Sequence, residues 1–277
     1  MSLKEIDALL REYEISPNKP LGQHFLVDFS IFPKLANYAT LQDSDVVLDV
    51  GAGFGFLSKF LSRKCKEVIA VEKDLRLASF LREETKKISN INVITGDIFK
   101  VELPDFNKVV SLPPYYLSSR LITWLLSQQI DLVVLVLQRE FADRLVATIG
   151  SEDYGWLKVV VDQRAEAKLR DTIPKESFYP KPEVESSIVT IRPLDKIPFN
   201  PENPFLFQRL TKWLFTQRNK KVSNALLPFL KKELRIDKAV AAETLRKLPF
   251  QDRRVRSLSP SDFGAIADGL SKQKNIF

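Results

Sequence analysis

The hydrophobic positions of this chain change period along its length. Residues 3 to 13, "LKEIDALLREY", space apolar side chains three and four apart, which predicts a short amphipathic helix. "SPNKPLGQHFLVD" follows, irregular, with two prolines and a glycine. From Val46 the pattern becomes regular. "VVLDV", "EVIAVE", "INVIT", "KVVSL" and "LVVLVLQ" are short apolar runs of strand length. Between or after them, "FLSKFLSRK", "LRLASFLREETKK", "SSRLITWLLSQ" and "EFADRLVAT" carry helical spacing. "AKLRDTI" and "SSIVTIRP" are strands with no long helix between them.

Strands alternating with helices predict a parallel sheet covered on both faces. The last two strands predict that this sheet finishes with an antiparallel pair. "PLDKIPFNPENP", with four prolines in twelve residues, marks a boundary. Beyond it the strand signal disappears, and "FLFQRLTKWLFTQRNKK", "SNALLPFLKKEL" and "KAVAAETLRKL" read as helices. The expected fold class is α/β: a Rossmann-like, mostly parallel sheet whose last strand is antiparallel, followed by a small C-terminal all-α domain. The expected division is residues 1–194 and 195–277.

Composition narrows the function classes. A chain of 277 residues, 44% hydrophobic, has room for one large core and a smaller one. A single cysteine, Cys65, excludes an internal disulfide and a cysteine-cluster metal site, and reads as a reducing, cytoplasmic setting. The first twenty residues carry acids and no apolar core, so they read as neither signal nor transit peptide. The net charge is +7, unevenly spread: residues 195–277 hold 17 basic and 8 acidic side chains, and residues 1–194 hold 25 and 27. A basic helical module beside a near-neutral one points to a polyanion such as nucleic acid.

"VLDVGAGFGFLS" sets Gly51, Gly53 and Gly55 at the end of the first regular strand. Glycines there allow a tight turn and a close ligand approach. A dinucleotide fingerprint needs glycine at position 56, which is Phe56, so NAD is disfavoured. Asp49 precedes the loop. Glu72 ends the next strand, where a carboxylate can accept from both ribose hydroxyls. Asp97, in "TGDIF", follows the third strand and is placed to receive an adenine amine. Carboxylates at three strand ends, with no need for a phosphate cradle, fit S-adenosylmethionine (SAM), whose sulfonium and ammonium are cationic.

"SLPPYYLSS", residues 111–119, carries the second candidate site. An exocyclic adenine amine is a poor nucleophile because its lone pair is delocalised. A protein assists by accepting its N–H bonds while the base, out of its stack, lies against an aromatic face. Tyr115 supplies the face, and Pro113 and Pro114 stiffen a backbone whose Pro113 carbonyl can accept.

The segments "LGQHFLVD", "VLDVGAGFGFLS", "AVEKD", "TGDIF", "LPPYYLSS", "VLQREFADRLVA", "DYGWLKVVV", "FYPKPEVESS" and "RNKKVSNAL" occur in an order that resembles KsgA-type ribosomal RNA adenine N6,N6-dimethyltransferases of archaeal flavour. The likeness runs from about residue 15 to 265. It implies a class I SAM-dependent methyltransferase that dimethylates two adjacent adenosines near the 3′ end of small-subunit ribosomal RNA during subunit biogenesis. It implies a monomer acting on a small-subunit precursor, without metal or membrane. For SAM it implies Gln23, His24, Leu26, Asp49, Gly51, Gly53, Glu72, Lys73, Asp97, Ile98 and Ser111. For the target base it implies Leu112, Pro113, Tyr115 and Phe178. Arg218, Lys220, Lys221, Arg253 and Arg254 would meet RNA phosphates. His24, the only histidine, is otherwise a packing residue; nothing requires it as a base.

The clamp departs from the family pattern at its polar position. The family shows Asn-Leu-Pro-Tyr in the clamp, and Leu112 stands at the asparagine. Leucine accepts no hydrogen bond, and losing a preorganised polar contact can cost about 3 kcal/mol, or a hundredfold in rate. Three readings follow: an active dimethyltransferase using the Pro113 carbonyl, with Ser111 or water as a substitute acceptor; a SAM- and RNA-binding assembly factor with weak or no catalysis; or a methyltransferase acting on large-subunit RNA.

Overall fold

The computed structural model describes residues 3–17 and 23–273. Residues 18–22 of the expected irregular segment lie outside that description. In chain order the elements are α1 (Leu3–Glu12), β1 (Phe25–Leu26), α2 (Ile31–Ala39), β2 (Val46–Val50), α3 (Phe56–Leu61), β3 (Glu67–Glu72), α4 (Leu75–Thr85), β4 (Ile91–Thr95), β5 (Lys108–Ser111), α5 (Ser118–Leu125), β6 (Leu132–Gln138), α6 (Arg139–Val146), α7 (Trp156–Asp162), β7 (Ala165–Ile173), β8 (Phe178–Tyr179), β9 (Ser186–Pro193), α8 (Pro204–Phe215), α9 (Val222–Lys232), α10 (Lys238–Lys247) and α11 (Pro260–Ser271).

The chain divides into two compact units. Residues up to Ala142 and Ala167–Pro193 build the first, around a seven-stranded sheet of order β4-β3-β2-β5-β6-β9-β7. The pairs β2–β3, β3–β4, β2–β5 and β5–β6 are parallel, and β9 runs antiparallel to β6. The apolar runs become strands because helices or loops cover both faces: in β6, Leu132 to Leu137 are all buried. Strand order reverses between β2 and β5, since β3 and β4 extend one way and β6 the other. Such a switch point opens a crevice at the carboxyl ends of the strands.

Backbone pairing between β2 and β5 covers Val47↔Lys108 and Leu48↔Val109 only. Beyond it the Ser111 hydroxyl takes over, donating to the Val50 carbonyl at 2.7 Å and accepting from the Val50 amide at 3.1 Å. Beneath the opposite end of the sheet, Lys108 is buried and bonds Asp45 and the Thr40 carbonyl, each at 2.8 Å.

Asp143–Glu166 and Leu194–Phe277 form the second unit. The expected boundary near residue 194 therefore misses a segment: α7 groups with the C-terminal helices. That segment adds 3 basic and 5 acidic side chains, so the helical unit carries +7 and the sheet unit is neutral. Tyr154 is fully buried there and donates to the Leu258 carbonyl at 2.8 Å. Asn203 caps α8 ahead of Pro204, and Ser259 with Asp262 forms a capping box on α11.

Candidate functional site

The chain leaves β2 through Gly51, Gly53 and Gly55, with φ of +74°, +56° and +73°. Other residues adopt that backbone only with strain. Two of the three also permit a close approach. A Cβ on Gly51 would lie 2.8 Å from Cδ of Pro114, and one on Gly55 would lie 2.0 Å from Cδ1 of Leu81. The glycine loop thus rests directly on the proline clamp.

Glu72 ends β3 with its carboxylate already held. Gly53 N–H donates to Oε2 and Asp74 N–H to Oε1, both at 2.8 Å. Burial raises its pKa, and the amides of Asp74, Gly53 and Lys73 oppose that rise. Asp49 is 2% exposed and accepts from the Ser58 hydroxyl at 2.7 Å. Burial pushes its carboxyl up to about 7; Ser58 opposes the shift, Glu72 adds to it, and Ser111 opposes it. Asp97 follows β4, accepts from Phe99 N–H at 3.1 Å and pairs with Lys73 at 3.5 Å. The Phe99 amide, together with Lys73 and Arg120, holds its carboxyl below the ordinary value against some desolvation.

Two adjoining clefts open over these strand ends. One, of about 1110 Å³, is lined by Lys73, Asp97, Ile98, Tyr116 and Arg120 among others. Its neighbour, of about 820 Å³, holds His24, Leu26, Asp49, Gly53, Leu112, Pro113, Tyr115 and Phe178. Gln23, Gly51, Glu72 and Pro114 line both. Tyr115 O–H and the Ser186 hydroxyl are 2.6 Å apart, and the Tyr115 and His24 rings sit 5.6 Å apart at 32°. His24 Nδ1 lies 2.6 Å from the Pro180 carbonyl, so its ring is held by packing and one hydrogen bond. The two-residue pairing of β1 with β8, Phe25↔Tyr179 and Leu26↔Phe178, brings the N-terminal segment onto the cleft.

Of the expected site residues, fourteen meet in this double cleft: Gln23, His24, Leu26, Asp49, Gly51, Gly53, Glu72, Lys73, Asp97, Ile98, Leu112, Pro113, Tyr115 and Phe178. Ser111 does not join them. It is fully buried, lines neither cleft, and its hydroxyl is occupied by Val50. It is a splice between strands and offers nothing to an incoming amine. Sequence reading passed over Ser58, Asp74, Arg120 and Ser186. Asp74 alone left a clear signal, since an aspartate opening a helix is a cap.

The basic stretches "RNKK" and "RRVR" lie side by side in the helical unit. Val222 N–H bonds the Arg253 carbonyl, Val255 N–H the Lys220 carbonyl and Arg256 N–H the Arg218 carbonyl, at 2.9 to 3.0 Å. Lys220, Lys221, Arg253 and Arg254 are exposed. Arg218 is half-buried and donates to the carbonyls of Ser151 and Glu152. Arg253 pairs with Asp262 at 2.8 Å, Lys221 with Asp252 at 2.9 Å, and Arg254 bonds the Asn219 carbonyl. Lys220 bonds only the neutral Gln217 amide oxygen among the described residues.

A switch-point cleft with two buried carboxylates, neither bonded to a basic side chain among the described residues, suits a cationic nucleoside. Among the described residues no group of His, Cys, Asp and Glu is placed to hold a metal ion. This fold and site define a SAM-dependent methyltransferase. A family model for "Ribosomal RNA adenine dimethylase" matches residues 15–250. The chain belongs to that family. It is 38% identical over 272 residues to "Probable ribosomal RNA small subunit methyltransferase A" of Thermococcus kodakarensis, covering 96% of this chain and 94% of the relative. The protein of the same description in Methanosarcina acetivorans is 36% identical over 98% of this chain and 99% of its own length. A dimethyladenosine transferase from Plasmodium falciparum superposes with a TM-score of 0.78 at 25% identity, over 91% of this chain and all of that one. The 23S rRNA methyltransferase ErmE does so with a TM-score of 0.63, also at 25% identity, over 90% and 100%.

Proposed function

We propose that this chain moves methyl groups from SAM to the N6 amines of two adjacent adenosines in small-subunit ribosomal RNA, acting on a precursor particle in the cytoplasm. One observation carries this reading: the carboxylate-lined cleft and the Pro113–Tyr115 cleft share Gln23, Gly51, Glu72 and Pro114. A ligand spanning both brings a cofactor to a flat base.

Glu72 would receive the ribose hydroxyls, and Asp97 with Ile98 the adenine edge and face. Asp49, in a dry site, would meet the positive charge of the methionine end. Bound SAM supplies an electrophilic methyl on a sulfonium. The protein's part is to hold the acceptor base against Tyr115 and Phe178, present the Pro113 carbonyl to its amine, and exclude water. Ordering an acceptor in this way is worth several kcal/mol of barrier. The exposed cations at 220–221 and 253–254 would meet RNA phosphates, Lys220 and Arg254 foremost because neither pairs with an acid among the described residues.

Labelled methyl transfer to unmethylated small subunits, followed by digestion to nucleosides, tests this. Dimethyladenosine is the expected product. Binding of SAM and subunits without label would favour an assembly factor, a reading that the apolar Leu112 supports. Label on naked large-subunit RNA instead would favour the activity named in the ErmE description.

A further inference from the structure

We infer that Tyr116 and Arg120 hold the RNA nucleotide next to the acceptor, Tyr116 stacking on its base and Arg120 meeting its phosphate. This rests on the reading above, that an adenosine in RNA is the acceptor.

The two consecutive tyrosines serve different clefts. Tyr115 lines the cleft of the clamp, whereas Tyr116 lines the neighbouring one, beside Asp97 and Ile98. Tyr116 is 51% exposed, so most of its ring is free to take a contact from outside the chain. Arg120 stands four residues further on, in the first turn of α5, exposed and lining the same cleft as Tyr116. Its guanidinium carbon lies 3.8 Å from the centre of the Phe99 ring. The charge is therefore held over an aromatic face instead of sweeping through solvent, and less freedom is lost when it binds a ligand.

An ordered cation at the rim of a cleft calls for an anion, and the protein does not give it one. Asp97 feels its charge, yet among the described residues Asp97 bonds the Phe99 amide and Lys73 rather than Arg120. The cofactor does not supply one either. The only anion of SAM is its carboxylate, which belongs to the methionine end, while Arg120 shares its cleft with Asp97 and Ile98 at the adenine end. A phosphodiester is the anion that an adenosine in RNA brings with it. Turning the acceptor base out of its stack also strips its neighbour of one stacked face. An exposed tyrosine next to the clamp replaces that face. Aromatic stacking beside a basic group is how proteins hold unpaired nucleotides without reading their sequence.

The test uses the full chain loaded with S-adenosylhomocysteine and short single-stranded RNAs carrying 2-aminopurine on one or the other side of the acceptor adenosine. Fluorescence reports stacking, anisotropy reports RNA affinity, and calorimetry reports S-adenosylhomocysteine affinity. The expected result is quenching at one flanking position. Tyr116→Ala should abolish that quenching and weaken RNA binding by about tenfold, and Tyr116→Phe should preserve both. Arg120→Gln should lower the slope of log K against log salt by about 0.7, the share of one phosphate on a single strand. All three variants should bind S-adenosylhomocysteine as the parent does, which also shows that they are folded. Weaker S-adenosylhomocysteine binding with RNA affinity and salt slope unchanged would mean that the two side chains wall the cofactor, and overturns the inference. Quenching at neither position, or quenching that survives Tyr116→Ala, overturns it too and leaves the methyltransferase reading standing. A parent protein that neither binds these RNAs nor methylates small subunits overturns both.

Discussion

Replacing Gly51 with alanine should damage the protein twice, in stability and in cofactor binding. The backbone term comes first: φ is +74°, and an L-residue there costs about 1–2 kcal/mol. The contact term adds to it, because the new Cβ would sit 2.8 Å from Cδ of Pro114. A proline ring cannot swing aside as a lysine tip does, so the loop at 113–115 must move, at a cost of about 1–3 kcal/mol. Gly53→Ala is the internal standard. Its φ is +56°, but its Cβ would meet only the Phe25 ring edge at 3.4 Å. Gly51→Ala should therefore be less stable than Gly53→Ala by about 1–3 kcal/mol in urea unfolding. Adding Pro114→Ala to Gly51→Ala should recover most of that difference, and a double-mutant cycle reads the coupling directly. Calorimetry with S-adenosylhomocysteine should show weaker binding by Gly51→Ala even at temperatures where it is folded. Equal stabilities for the two glycine variants, with no coupling to Pro114, would refute the close-approach account of this loop.

Asp49 makes stability fall as pH rises. Its folded carboxyl titrates near 7 against an ordinary value of 3.8, so between those values the native state holds the proton that the unfolded chain has lost. Stability should decline across pH 4 to 7 and level off above; Asp49→Asn should flatten that part of the profile, and an unchanged profile in chemical unfolding would contradict the assignment. Lys108→Met should cost about 3 kcal/mol by stranding buried Asp45, with Asp45→Asn in the same chain restoring part of it in urea titrations. Lys220→Ala and Arg254→Ala should weaken RNA binding and lower the slope of log K against log salt by about one each. Arg218→Ala should instead lower the melting temperature, because its guanidinium ties down the carbonyls of Ser151 and Glu152.

The sheet was legible because its strands are buried on both faces and read as unbroken apolar runs; β2, β3, β4, β6 and β9 occupy the expected residues. The helices that escaped each carry a residue that masks helical propensity. Pro33 interrupts α2, yet sits in its first turn, where proline is tolerated. Three successive valines in α7 favour strand, and burial in the helical unit overrides them. Gly264 and Gly269 weaken the pattern of α11 because packing requires them: a Cβ at either would come within 2.7 Å of Phe199 or Leu248. In the site, carboxylates at strand ends were readable from position alone. The fate of Ser111 was half readable: strand alternation turns it away from the face of Leu112, but the splaying of β2 from β5 that gives its hydroxyl to Val50 left no mark in the sequence. Arg218 was likewise unreadable, because the carbonyls it serves come from a segment assigned to the other side of the expected boundary.

The pairing of β1 with β8 imposes a timetable on synthesis. Residues 24 to 26 form part of the cleft wall, but their partners are Phe178, Tyr179 and Pro180, more than 150 residues later. Bringing such distant segments together costs loop entropy that no local contact repays. During translation the backbone of the leading segment must wait for its strand partner, although Phe54 offers the Phe25 ring an earlier contact as the central strands assemble behind it. The cleft is therefore among the last parts of the sheet unit to mature. A nascent chain halted before residue 178 would hold its glycine loop and Glu72 yet lack a closed wall, so cofactor capture should begin only once nearly two-thirds of the polypeptide has been made.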